Sequence, residues 1–322
     1  MPTVDMPALD GRDQLGFLAA LGVTRLIDDA RLSFNTETFT AQLHSRHADI
    51  DGIAEELRTI VADLKDGALL PGITAGFPVP SALSGGDPMR TPRLSFPDFS
   101  RKHAEAADWI PSLVTDLVTD NDQRVKISLF QAPAGSQAMA TMFTKPLEHI
   151  HKDPEHLRTA LTGWRRVKDV TGEYLDHRAQ SNAADNPTGK AIMNGAPGPT
   201  WLALMAFPYT TVTSINGRQP DASGWHRPHP RRAPILAWPL WKQPLTPRAI
   251  TTLLEHPAIT LDTDHTGKTI LTTKPTILTE LGIFHICAAR RRKLDGGKSD
   301  GILAPHPLTH TPPTKPTTPT IL

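Results

Sequence analysis

One short stretch of the chain gathers the residue types that proton transfer needs: Glu173, Asp176, His177 and Arg178, with Asp185 a few residues on. A carboxylate beside a histidine can orient the ring, and an oriented ring can act as a general base. With its acids as ligands, Glu173 to Asp185 would serve a metal-dependent nuclease or hydrolase. The order is Asp-His, the reverse of the His-Asp pair of metal phosphohydrolases. Adjacent side chains also point apart on most backbones. A polar structural network around Tyr174 is therefore the competing reading.

Other candidate motifs fail on spacing. Thr266-Gly267-Lys268-Thr269 resembles the end of a phosphate-binding loop, but Asp262 stands where the motif needs its first glycine. The residues after it favour a strand over the required helix, so a hairpin turn is expected. His149, His151, Asp153, Glu155 and His156 are potential metal ligands in one segment. Residues two apart point about 200° apart on a helix, so no metal site is predicted there. Ser136 lacks the flanking glycines of a nucleophile elbow. Asp116, Asp120 and Asp122 fit a capped helix end and a turn. No cofactor is expected.

The basic clusters point elsewhere. Arg165, Arg166 and Lys168 follow Trp164; His226, Arg227, His229, Arg231 and Arg232 follow Trp225; Arg290, Arg291, Arg292 and Lys293 form a run. Guanidinium groups grip phosphate with two donors, and a nearby indole offers a face for a base. Arg165, Arg166, Trp225, Arg227, Arg231, Arg232, Arg290, Arg291, Arg292 and Lys293 are the predicted nucleic-acid contacts. Solvated loops or protein-contact rims are the alternative.

These residues must be positioned by a mixed set of elements. Asp10 or Asp13 can cap a helix running to about Ile27, apolar on most faces. Arg31–Phe34 and Thr38–Leu43 read as a hairpin, and Ile50 to Leu64 as a second helix. Residues 71–98 are a long Pro/Gly/Ser loop. A helix is predicted from Ala104 to Val118, a strand over Val125–Phe130, and helices over Gly135–Phe143 and Glu155–Trp164. Trp201–Phe207 suits a buried helix. Tyr209–Ile215 and Ile235–Trp241 suit strands. Thr246 and Pro247 start a helix, Ala258–Leu261 and Lys268–Thr273 form a hairpin, and Ile283–Arg292 is a strand or helix.

The predicted fold class is thus α+β: mixed helices with short antiparallel strands and hairpins, and a disordered C-terminal tail. The organisation is an N-terminal region over 1–180, a C-terminal region over 181–303 that can be continuous with the first, and a Pro/Thr-rich tail over 304–322.

Composition sets outer bounds. The formal net charge is +1, so any nucleic-acid contact must come from local clustering. A single cysteine, Cys287, excludes an internal disulfide and a cysteine-based zinc cluster. No apolar run approaches a membrane span, and no signal peptide pattern opens the sequence. No membrane association is expected, and the cytoplasm is the expected compartment.

Several stretches carry a family likeness. They include Leu9 to Val23 (LDGRDQLGFLAALGV), Ala30–Phe34 (ARLSF), Leu161–Val167 (LTGWRRV) and Thr171–Arg178 (TGEYLDHR). Gly198–Ala206 (GPTWLALMA) and Trp238–Trp241 (WPLW) complete the set. Together they resemble an actinobacterial family associated with type I-G (formerly I-U) CRISPR loci, over most of residues 9–257. The resemblance implies RNA-guided antiviral defence, as an effector-complex subunit or a companion to the helicase-nuclease. The implied partners are crRNA or target DNA and sister subunits. The chain lacks an intact Walker motif and a His-Asp nuclease signature, which favours a noncatalytic role. The alternatives are the metal-dependent enzyme and a protein-interaction scaffold that binds no nucleic acid.

Overall fold

Asp13 sets the first helix. Its carboxylate accepts from the amides of Leu15 (2.8 Å) and Gly16 (3.3 Å), starting α1 (Gln14–Leu26). The helix carries apolar residues all round and is buried from Gln14 to Thr24. Its main partner is α7 (Pro197–Met205), buried along its whole length. The two backbones meet at Gly22, where an added Cβ would lie 1.8 Å from the Leu202 carbonyl oxygen. Only glycine fits there.

The computed structural model describes residues 1–64, 66–80, 87–132, 138–179, 192–229, 232–293 and 300–310. Around the α1–α7 pair stand two principal sheets. The N-terminal sheet is antiparallel, in the order β1 (Thr3–Asp10), β3 (Thr40–His44), β2 (Arg31–Phe34). The C-terminal sheet is also antiparallel and runs β10 (Trp225–His226), β11 (Ile235–Trp241), β14 (Ile283–Lys293), β15 (Asp300–Pro305). Every residue of β11 is buried, as expected of an inner strand covered on both faces.

A smaller sheet joins β12 (Leu261–Thr263) antiparallel to β13 (Thr269–Leu271), with β16 (Thr309–His310) parallel to β13. Leu261 and Leu308 pack on Ile235, Ala237 and Ala288 of the larger sheet. Two-stranded ribbons pair β4 (Val114–Thr119) with β5 (Val125–Ile127), β6 (Val167–Lys168) with β7 (Asn194–Gly195), and β8 (Val212–Ile215) with β9 (Gln219–Ala222). The remaining helices are α2 (Ile50–Ala62), α3 (Phe96–Lys102), α4 (Ile110–Leu113), α5 (Met139–Lys152), α6 (Glu155–Thr162), α8 (Pro247–Leu254) and α9 (Pro275–Glu280). The fold is α+β, as the sequence predicts.

One hydrophobic cluster takes side chains from both regions. The Trp238 indole donates to the Gly11 carbonyl and that of Trp241 to the Leu32 carbonyl, each at 2.7 Å. Phe17 stacks on Trp238 with centroids 5.6 Å apart. The expected boundary after residue 180 falls at 180–191, outside the described residues.

Two expectations change. The helix predicted over Ala104–Val118 is a short 3-10 turn, then α4, then β4, because Val114, Thr115, Val118 and Thr119 suit a strand and find one in β5. The strand β1 escaped the pattern reading. Residues 304–310, expected in the disordered tail, are ordered: they complete β15 and supply β16, with Ala304 buried and Leu308 packed on the core. The buried apolar run Ile302-Leu303-Ala304 carries order past the expected boundary; residues 311–322 lie outside the described residues. No helix among the described residues is long and apolar enough to cross a membrane.

Candidate functional site

The Glu173–Arg178 segment lies in a tight turn built on three successive left-handed residues, Gly172 (φ 59°), Glu173 (φ 48°) and Tyr174 (φ 60°). Such a run is strained for residues other than glycine. It is held from several sides. Asp176 is fully buried, and one oxygen accepts from Arg166 Nη1 at 2.7 Å. The same nitrogen donates to the Asn194 carbonyl at 2.8 Å. The other Asp176 oxygen accepts from the Arg178 amide at 3.0 Å.

His177 points to different partners. Its Nδ1 lies 3.0 Å from Gln14 Nε2 and 3.7 Å from Asp13 Oδ2. Gln14 Nε2 donates to the Leu175 (3.1 Å) and Leu303 (2.8 Å) carbonyls, which takes both its hydrogens. Asp13, besides capping α1, is paired with the Arg178 guanidinium, which sits over the Trp164 ring with its central carbon 5.5 Å from the centroid. Burial lowers the His177 pKa; Asp13 and Asp176 draw it upward, and Arg178 and Arg166 downward. The Asp13 carboxylate is beyond hydrogen-bond reach of the ring and has its own amide and guanidinium partners. This arrangement joins residues distant in sequence and favours the structural-network reading over general-base chemistry. Asp185 lies outside the described residues. Among those that are described, no group of three or more His, Cys, Asp and Glu could hold a metal ion.

His149 and His151 lie in α5, whereas Asp153 and His156 both meet the Arg165 guanidinium. Lys268 and Thr269 belong to the expected hairpin: Gly267 takes φ 81°, and Asp264 accepts from the Thr266 and Lys268 amides.

The basic clusters divide sharply. Arg165 is half-exposed and paired with Asp153; Arg166 is tied to Asp176. Trp225 is 4% exposed and meets Phe130 edge-on at 5.4 Å, so it cannot receive a base, contrary to expectation. Arg227 donates to the Pro220 carbonyl at 2.9 Å, and burial lowers its pKa against the pull of Asp221. Arg291 is also corrected. It is 7% exposed and donates to the carbonyls of Leu129, Phe130 and Gly301, and burial pushes its pKa down to about 10. Side chains alternate along a strand, so the middle arginine of the run turns inward while its neighbours turn outward.

Burial lowers the His306 pKa, and the charges of Arg290, Arg292 and Arg232 push it the same way, so all three charges act on this ring. His306 Nε2 lies 2.8 Å from Thr269 Oγ1. Arg232 donates to the Gly267 carbonyl (2.8 Å) and Arg292 to the Pro305 carbonyl (2.9 Å). Among the described residues, no carboxylate pairs with Arg232, Arg290 or Arg292. Arg231 lies outside the described residues, and Lys293 is described through its β14 backbone.

Sequence reading missed His306, placed in the tail, and Asp13 and Gln14, seen only as a cap and a helix start. The nearest signal was Asp13 beside Gln14 at the head of an apolar helix, where a polar pair is poorly placed for solvent.

No protein-family model matches the sequence, and no curated protein is similar to it.

Proposed function

We propose that this protein is a noncatalytic nucleic-acid-contacting subunit of an RNA-guided antiviral system of the CRISPR type. Arg232, Arg290 and Arg292, beside His306, form its phosphate-binding patch. The observation that carries the reading is this convergence: the charges of Arg290 and Arg292 on β14 and of Arg232 from a separate segment all act on one ring, without a carboxylate partner among the described residues. Like charges repel when crowded, so the arrangement is best relieved by an anion. Phosphate suits it, because guanidinium donates to two phosphate oxygens at once. The CRISPR context rests on the sequence resemblance alone.

The test is anisotropy of labelled single-stranded RNA and DNA over a salt series. Three phosphate contacts to a single strand give a slope of log K against log salt of about −2. A fourfold rise in salt then weakens binding about twentyfold. The triple variant R232A/R290A/R292A should lose most of that slope, whereas R165A should keep it. Unchanged binding by the triple variant would remove the patch. Salt-independent binding, or none, would favour a protein scaffold. A gene neighbourhood without CRISPR arrays or effector genes would remove the biological context.

A further inference from the structure

A second basic site lies away from these arginines. The C-terminal end of α1, the approach to α4, the segment after α7 and the start of α8 border an open cleft of about 390 Å³. Arg25, Tyr209 and Arg248 line it. Arg25 lies over the Trp109 ring, its central carbon 4.6 Å from the centroid. Among the described residues, no carbonyl or carboxylate accepts from the Arg25 guanidinium. Tyr209 is 3% exposed, and its hydroxyl is buried without a hydrogen-bond partner. An unpaired buried hydroxyl is costly unless something else meets it.

The other hydroxyls of the cleft are occupied. Thr210 donates to the Phe207 carbonyl at 2.8 Å, Thr211 to Glu255 at 3.1 Å and Thr251 to the Pro247 carbonyl at 3.3 Å. What remains is two guanidinium groups and a phenol, all donors, against the single carboxylate of Asp108. The excess is positive and donating, which suits an oxyanion. Pro208 and Pro247 add flat apolar wall, and the volume leaves room beyond one phosphate for a small organic body.

We infer that this cleft binds a small phosphate monoester, its phosphoryl oxygens taking donors from Arg25, Arg248 and the Tyr209 hydroxyl. The site is independent of the patch at Arg232, Arg290 and Arg292.

Calorimetric titration with inorganic phosphate, adenosine 5′-monophosphate and adenosine tests it. The monophosphate should bind saturably at about 1 mM or below, inorganic phosphate more weakly, and adenosine not at all. Tyr209→Phe removes one oxygen and keeps the ring; Arg248→Ala alters an exposed side chain. Each should weaken the monophosphate about tenfold, the usual worth of a hydrogen bond to a charged group. R232A/R290A/R292A should leave it unchanged, which separates this site from the proposed function. Unaltered affinity in both Y209F and R248A overturns the inference, as does absence of monophosphate binding or equal binding of adenosine.

Discussion

His226 makes stability depend on acid in a way that can be worked through. It sits on β10, opposite Ile235, and is mostly buried. Burial lowers its pKa from 6.5 to about 4, with no charged partner contributing. The folded state therefore holds the neutral ring. Between these two values the unfolded chain binds the proton and the folded chain does not, so stability falls as pH falls. The contribution is complete above 6.5 and is lost on the way down to about 4. At about pH 4.5 the loss is at most about 2.5 kcal/mol, from 1.36 kcal/mol per pKa unit. His226→Leu removes this term. Urea unfolding at pH 7 and at about pH 4.5 should show the variant losing about 2.5 kcal/mol less than the parent on acidification. Other histidines, His156, His177 and His306 among them, have lowered pKa values of the same sign. The comparison with the variant isolates His226 from them. Parallel pH profiles for parent and variant would refute the assignment.

Two substitutions test the packing. Gly22→Ala drives a Cβ to within 1.8 Å of the Leu202 carbonyl oxygen, a backbone atom that cannot swing aside; it should lower stability by about 3 kcal/mol or more, read from the urea midpoint. Arg291→Met leaves the carbonyls of Leu129, Phe130 and Gly301 without their donor and should cost about 3 kcal/mol. Because that side chain faces inward, the salt slope of RNA binding should not change. A changed slope would contradict its structural role.

The parts legible in sequence are those where local pattern and burial agree. Ile235–Trp241 is apolar at every position because sheet neighbours and packing cover both its faces. Thr246-Pro247 marks a helix start by cap and proline chemistry, and Thr246 accepts from the Ala249 amide at 3.3 Å. The Thr266–Thr269 turn was legible because a phosphate-binding loop needs a helix after it. Where pattern misled, two periods competed. Ala106, Ile110, Leu113 and Leu117 fit a helical stripe, but Val114 to Thr119 also alternates, and the partner strand Val125–Ile127 decides between them. Composition cannot give orientation: Trp225 and Arg291 have the residue types of a nucleic-acid contact, yet strand geometry turns both inward. The Arg232–Arg290–Arg292–His306 grouping depends on β15 returning beside β14 and on β16 pairing with β13, and the second pairing is long-range with no local signature. The meeting of Asp13 and Gln14 with His177 was illegible for the same reason.

The link from Gln14 to the Leu303 carbonyl spans 289 residues, and it constrains how the protein is made. At about 5–20 residues per second, a ribosome needs about 15–60 s to travel that interval. For most of that time the helix after Asp13 stands without α7, with apolar surface on every side. A nascent chain stopped before residue 197 lacks the partner that covers the α7-facing side of this helix, although β1 and β2 pack on another side. Such a chain must be sheltered by a holding chaperone or be removed by proteolysis, and premature stop codons in the first half of the gene should yield no soluble fragment.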